Sequence, residues 1–144
     1  DINRYLSLGA SGVQMATRFV GTKECDASDS FKQAYIQCEE KDFVIINNPL
    51  GLSGRDIRNN FINNVEAGKK KPFSCPYHCI VTCNYKKSPY CIASALMQAK
   101  KGNLDNGFAF AGSNAYRVKE IVSVVHLINE IREEFENATR NNHV

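Results

Sequence analysis

The residues best suited to chemistry lie in the run Ser11-Gly12-Val13-Gln14-Met15-Ala16-Thr17-Arg18-Phe19. Val13 and Met15 alternate with Gly12, Gln14 and Ala16, which predicts a short buried strand ending in a tight polar turn. Gly12 and Ala16 are small enough to let another backbone or a ligand come close. The turn offers backbone amides, the Thr17 hydroxyl and the fixed charge of Arg18. Convergent amides at a strand end can hold a phosphate. An ordinary core strand would leave the same pattern.

A second group is Cys75, Cys79, Cys83 and Cys91, spaced C-x3-C-x3-C-x7-C. An iron–sulfur cluster or a zinc ion uses thiolates in such groups. If Cys75, Cys79 and Cys83 share one helix, the outer two stand about 12 Å apart, too far for one ion or small cluster. Pro76 can leave Cys75 outside that helix. Free thiols are the expected state, and no metal ligand is assigned. His78, His126 and His143 sit in no catalytic arrangement. His126 falls in an amphipathic stretch, where a satisfied structural histidine is expected. Arg55 and Arg58 read either as a solvated surface or as an anion site near a substrate entrance.

The elements that must position these groups follow from periodicity. Ile2, Tyr5 and Leu6 share a helical face, and Gly9 is a good stop. Ser28 or Asp29 can cap a helix burying Phe31, Ala34, Tyr35 and Cys38. Phe43-Val44-Ile45-Ile46 predicts a buried strand. Ser53 with Asp56 resembles a capping box, opening a helix with Ile57, Phe61, Ile62 and Val65 on one face. Ser74-Cys75-Pro76 and Ser88-Pro89 open two short helices. Ile92, Ala95, Leu96 and Ala99 face the core in the second, which Gly102 ends. Gly107 to Ser113 is expected to be extended and packed. A long amphipathic helix is predicted from about Tyr116 through Phe135. The last residues, Asn141 to Val144, are expected to fray.

Composition narrows the function. A chain of 144 residues can bury a real core. A net charge of +3 is too small to argue for nucleic acid, and Lys69-Lys70-Lys71 reads as a solvated loop. No apolar run approaches the roughly 18 residues that span a membrane.

Leu8-Gly9-Ala10 and the run that follows it resemble the "LGADGVQMGTRF" signature of the nitronate monooxygenase (2-nitropropane dioxygenase) family, which includes flavin-dependent enoyl-acyl-carrier-protein reductases. Pro49 to Arg55 with Arg58-Asn59 is similar to that family's "GLPGRAIRN" stretch. Asp105-Asn106-Gly107 with Ala111-Gly112-Ser113 is similar to its "DNG…AGQ" stretch.

The resemblance implies an α/β fold: the C-terminal part of a TIM-type (β/α)8 flavin barrel plus a mostly helical small domain. A complete barrel needs roughly 200 or more residues, so the expectation is a helix-rich C-terminal fragment. Residues 1–40 would hold the last barrel helix and strand with the following helix. Residues 41–106 would form the smaller substrate-side domain with its Cys-rich part, and 107–144 a return segment and the long helix.

The implied cofactor is FMN. Carried over residue by residue, its phosphate contacts are Gln14, Met15, Ala16 and Thr17, with the other half of the site before Asp1. Ala16 stands where the family usually has Gly. Ser113 and Asn114 could donate hydrogen bonds near the flavin ring, or cap a helix. No catalytic residue is assigned, because the family's histidine comes from an earlier strand. The implied partners are a small-molecule substrate and the N-terminal remainder of the barrel, with neither nucleic acid nor membrane. The substrate is a nitronate oxidised with dioxygen, or alternatively an enoyl thioester reduced with NAD(P)H. A non-catalytic Cys-rich metal-binding or interaction module is the reading from another class. The family implies a cytoplasmic enzyme, hence reduced thiols.

Overall fold

The computed structural model describes residues 1–69, 75, 78–81 and 83–141. In chain order the elements are helix α1 (Ile2–Ser7), helix α2 (Thr17–Val20), helix α3 (Asp29–Gln37), strand β1 (Phe43–Asn47), strand β2 (Ser53–Ile57), helix α4 (Asn60–Glu66), helix α5 (Ile92–Lys100) and helix α6 (Val124–Asn141). Short 3-10 turns lie at Glu40–Asp42 and Ala115–Arg117. Two compact units result: Asp1–Asp26 with Glu120–Val144, and Ala27–Lys119. The first and last sequence segments therefore together make the first unit, and the middle of the chain makes the second.

In the first unit, α1 packs on α6. Asn3 ties them by donating through Nδ2 to the Phe135 carbonyl at 3.1 Å and to Thr139 Oγ1 at 3.0 Å. Gly9 ends the α1 turn at φ +94°, a conformation that L side chains rarely adopt. Thr22 and Val122 form a parallel bridge, closed by Lys23 N–H to the Val122 carbonyl at 2.8 Å. Two side chains start α6. Ser123 Oγ accepts from the His126 amide, and Glu24 accepts from the Val124 amide at 2.9 Å.

These contacts correct the expected start of the long helix near Tyr116. The caps set it at Val124, and Val118 to Ser123 before it are not helical, with Val122 in the bridge to Thr22. Of the stretch expected to fray, Asn141 is still helical, and residues 142–144 lie outside those described.

The second unit is built on an antiparallel hairpin. Phe43 pairs with Ile57, Val44 with Asp56, Ile45 with Arg55, Ile46 with Gly54 and Asn47 with Ser53. Alternation follows: Val44 and Ile46 pack on the core while Ile45 is 58% exposed. The strand over 43–46 is therefore present, but only one face of it is packed. Residues 109–111 add a short third ribbon to β2, through Ile57 N–H to the Ala109 carbonyl and Ala111 N–H to the Arg55 carbonyl. The Gly107–Ser113 stretch is packed as expected only in part: Gly107 to Ala109 and Ala111 are buried, while Phe110, Gly112 and Ser113 are exposed.

β2 corrects the capping-box expectation. Ser53 and Asp56 lie in the strand, and α4 begins later. Its cap is Asn59, whose Oδ1 accepts from the Ile62 amide at 3.0 Å. Asn59 Nδ2 also donates to the carbonyls of Leu104 and Gly107 at 3.1 and 2.8 Å. One side chain thus starts a helix and anchors a distant loop.

The core joins Phe61, Ile62, Tyr90, Ala95 and Phe108, flanked by Val65, Ile92 and Leu96. Phe61, Tyr90 and Phe108 meet pairwise with ring centroids 5.0–5.8 Å apart, mostly edge to face. Gly107 lies flat on α5, where a Cβ would fall 2.0 Å from the Ala95 carbonyl oxygen. α3 is capped by Ser28 as expected and buries Tyr35, with Cys38 just beyond it. α5 starts at Ile92, after Cys91, rather than at Pro89. A helix opening at Pro76 would fall largely outside the described residues.

Candidate functional site

The 11–16 run departs from the expected buried strand. Among the described residues no strand pairs with it, and Val13 and Met15 are 40% and 38% exposed. A strand needs a neighbour for its backbone donors and acceptors. The two-stranded sheet of this chain is formed by β1 and β2, so residues 11–16 run free of it. Around Gly12 the space is open, since a Cβ there would meet nothing within 4 Å.

The expected tight turn after the strand is not formed either, since residues 12–16 are irregular and lead straight into α2. Gln14, Met15 and Ala16 are exposed, and Thr17, half-buried, opens the short α2. No hydrogen bond within the described residues occupies the amides of Gln14, Met15 or Ala16, while the Ala16 carbonyl accepts from Phe19 N–H at 2.9 Å. Ala16 has φ −126°, which any L-residue reaches. Its methyl group is therefore compatible with the backbone as it stands.

Arg18 differs from expectation. Its guanidinium binds Glu130 on α6 at 2.6 Å, with both side chains part-exposed. The charge beside this stretch is thereby largely neutralised, and Arg18 fastens α2 to the long helix. The pair joins residues 112 positions apart, so no local motif announces it.

Arg58 is similarly engaged, donating to Asn63 at 2.9 Å and to Glu66 at 2.8 Å. That favours the surface reading for it. Arg55 lies exposed on β2. Asn114 precedes the 115–117 turn without a side-chain cap hydrogen bond, so the capping explanation does not apply to it.

All six cysteines are free thiols. Residues 78–81 and 83 are not helical, so the shared-helix argument for Cys79 and Cys83 has no basis in the structure. Among the described residues no three His, Cys, Asp or Glu side chains come together as a metal site. Cys38, buried and donating to the Tyr35 carbonyl, has its thiol pKa raised by burial. His126 is exposed near the start of α6 rather than satisfied in a core. His78 is exposed with φ +43° and meets Tyr85 edge to face. His143 lies outside the described residues. Among the described residues no helix is long and apolar enough to cross a membrane.

Asp56, which the spacing pairs with Ser53 as a capping box, is instead the most buried carboxylate of the second unit. Its relative exposure is 0%, both carboxylate oxygens are buried without a hydrogen-bond partner, and burial pushes its pKa up to about 7. Tyr90 is also buried with an unpartnered hydroxyl, and its pKa rises to about 12 through burial and the nearby Asp56 charge. The signal available in sequence was a lone acidic residue inside an alternating strand pattern. Tyr90, though not Asp56, also lines a cavity of about 310 Å³ together with Ile45, Ile46, Phe61, Ile62, Val65, Asn47 and Glu66.

The geometry defines a mixed helix–strand chain with an exposed, irregular stretch from Gly12 to Ala16. A profile of the nitronate monooxygenase family matches residues 1–134. The chain belongs to that family, a family of oxidoreductases. A probable nitronate monooxygenase of Staphylococcus saprophyticus is 45% identical over 56 residues, which are 39% of this chain and 16% of that protein. Another, from Staphylococcus haemolyticus, is 39% identical over 59 residues, again 16% of its length. The solved structure of FabK from Thermotoga maritima is 26% identical and superposes with a TM-score of 0.75, covering 96% of this chain and 41% of that one. A point mutant of the same protein, 23% identical, shows the same fold at a TM-score of 0.74. The chain thus spans less than half of the solved relative, and the matched stretch is about a sixth of the curated ones.

Proposed function

We propose that this chain is the C-terminal part of an FMN-dependent oxidoreductase of the nitronate monooxygenase type, acting on small nitronates with dioxygen in a reducing cytoplasm. The family match over nearly the whole chain carries the reading. The 14–17 stretch fits a phosphate, because Gln14, Met15 and Ala16 are exposed and their amides are unengaged by the described residues. Gln14, Met15 and Ala16 would hold the phosphate through backbone groups, and Thr17 through its amide and hydroxyl. When bound, the flavin supplies the redox chemistry and the polypeptide supplies its position.

The chain's own residues then have structural tasks. The Arg18–Glu130 ion pair and the Ser123 and Glu24 caps hold the segment after this stretch against α6. The missing strand pairing of residues 11–16 is supplied, in this reading, by upstream barrel strands.

The full-length protein tests the proposal. Purified with its flavin, it should contain one FMN and consume dioxygen with an alkyl nitronate. Turnover of an enoyl thioester with NAD(P)H, and none of the nitronate, would replace the substrate assignment with the reductase one. A full-length protein that neither retains nor binds FMN would overturn the reading.

A further inference from the structure

We propose that Asp56 controls the seating of the 107–113 segment on β2, holding it down when neutral and releasing it when ionised. Asp56 pairs with Phe110 in an antiparallel bridge. The two hydrogen bonds that fasten the segment flank it: Ile57 N–H to the Ala109 carbonyl at 3.1 Å and Ala111 N–H to the Arg55 carbonyl at 3.0 Å.

The side chain lies on the core side of the hairpin. Its register partner Val44 packs against the Phe61, Tyr90 and Phe108 cluster. Phe110 covers the same face, close enough that a Cβ on Gly54 would meet its ring at 2.3 Å. A carboxylate charged in that position must regain water. The 107–113 segment lies directly beside it, held to β2 by those two bonds and to α3 by Tyr35, which donates to the Phe110 carbonyl at 2.6 Å.

Among the described residues neither carboxylate oxygen has a hydrogen-bond partner. β1 presents Val44, α4 presents Phe61 and Ile62, and the segment presents Phe108 and Phe110. Tyr90, before α5, is near enough to feel the Asp56 charge, and α3, which Tyr35 ties to the segment, carries the buried Lys32 and Tyr35 and ends at the buried Cys38. On the strand itself Arg55 is exposed, and Arg58 is engaged by Glu66 at 2.8 Å. Burial accordingly raises the carboxyl pKa to about 7, so both protonation states are populated near neutrality.

Local control of this kind goes beyond the flavin reading and does not depend on it. Only its consequence rests there: residues 112–114, which the family resemblance places beside the flavin ring, would become mobile as pH rises. Amide hydrogen exchange tests the control directly on the full-length protein. Linkage between an open state with an ordinary carboxyl and a closed state titrating near 7 lowers protection by roughly thirtyfold between pH 5.5 and pH 8. That loss, after correction for intrinsic exchange rates, is expected at the Ile57 and Ala111 amides. It should be absent at Lys23, whose amide bonds Val122 in the other unit.

Asp56→Asn should abolish the pH dependence, and Asp56→Ala serves the same purpose should the amide variant not fold. Constant protection in the parent overturns the proposal. So does an undiminished loss in the variant, or an equal loss at Lys23, which would mark global unfolding. None of these readouts requires flavin, so failure here is distinguishable from failure of the functional reading.

Discussion

Thr17→Val removes one hydroxyl from the 14–17 stretch and keeps the shape and the backbone amide. A hydrogen bond to a charged group contributes about 1.5–3 kcal/mol. At 1.4 kcal/mol per tenfold, FMN affinity of the full-length protein should fall roughly 10- to 150-fold. Ala16→Gly should be neutral or tighten binding, since Ala16 already sits at an unstrained φ of −126° and loses only a methyl. Fluorescence titration of both variants decides this, and unchanged affinity for Thr17→Val would remove the hydroxyl from the site.

Asp56 supplies a second residue-scale expectation. Its folded pKa of about 7 lies above the unfolded value of 3.8, so the folded unit binds the extra proton between them. Stability is therefore greatest below about pH 4, falls as pH rises towards 7 and is level beyond. With 1.36 kcal/mol per pKa unit the loss is about 4 kcal/mol as an upper bound. Denaturation of the parent and Asp56→Asn across that range checks it, and the variant should be flatter and more stable at pH 8.

Packing decides at the scale of elements. A methyl at residue 107 collides with the backbone of α5, at 2.0 Å from the Ala95 carbonyl oxygen and 2.7 Å from the Ala99 amide. Neither atom can move without shifting the helix. Gly107→Ala should therefore cost about 1–3 kcal/mol or more, read as a lower denaturant midpoint at unchanged slope. Asn59→Ala removes a helix cap and two loop anchors together. Its cost should exceed the ~1 kcal/mol of an ordinary cap. An effect no larger than that would mean the two loop bonds contribute nothing.

Helix starts were where local reading went astray. Ser53 and Asp56 have the spacing of a capping box, yet the antiparallel pairing with β1 claims their backbone. The pattern of Ile57, Phe61, Ile62 and Val65 was right about the buried face from Phe61 onward, because periodicity senses burial better than it senses boundaries. The start of α6 at Val124 depends on Glu24, 100 residues away, which no window along the chain contains.

For the molecule as a whole, the isolated 144-residue chain should bind FMN weakly or not at all. The motive is coverage, since the chain corresponds to 41% of the solved relative and offers residues 14–17 without neighbouring strands. Flavin fluorescence quenching measures it, and stoichiometric submicromolar binding by this chain alone would contradict it. In the first unit Tyr5, Leu8, Val13, Met15, Val125 and Ile128 are exposed apolar side chains. Such surface is normally covered in a stable protein, and upstream barrel elements are its proposed cover.

By itself the sequence determined the family, because three motifs in order specify it through residue identity alone. It also determined α1, α3, the β1 run and the buried faces of α4 and α5, where hydrophobic periodicity and a local cap such as Ser28 agree. Only the tertiary structure decided that residues 11–16 lie unpaired, that Arg18 is engaged by Glu130, that the Ser53–Ile57 stretch is a strand, and that Asp56 is buried without a partner. Each depends on contacts between residues far apart in the chain. A strand exists through its neighbour, an arginine's availability depends on which carboxylate reaches it, and the state of a carboxyl group depends on how much water the fold leaves around it.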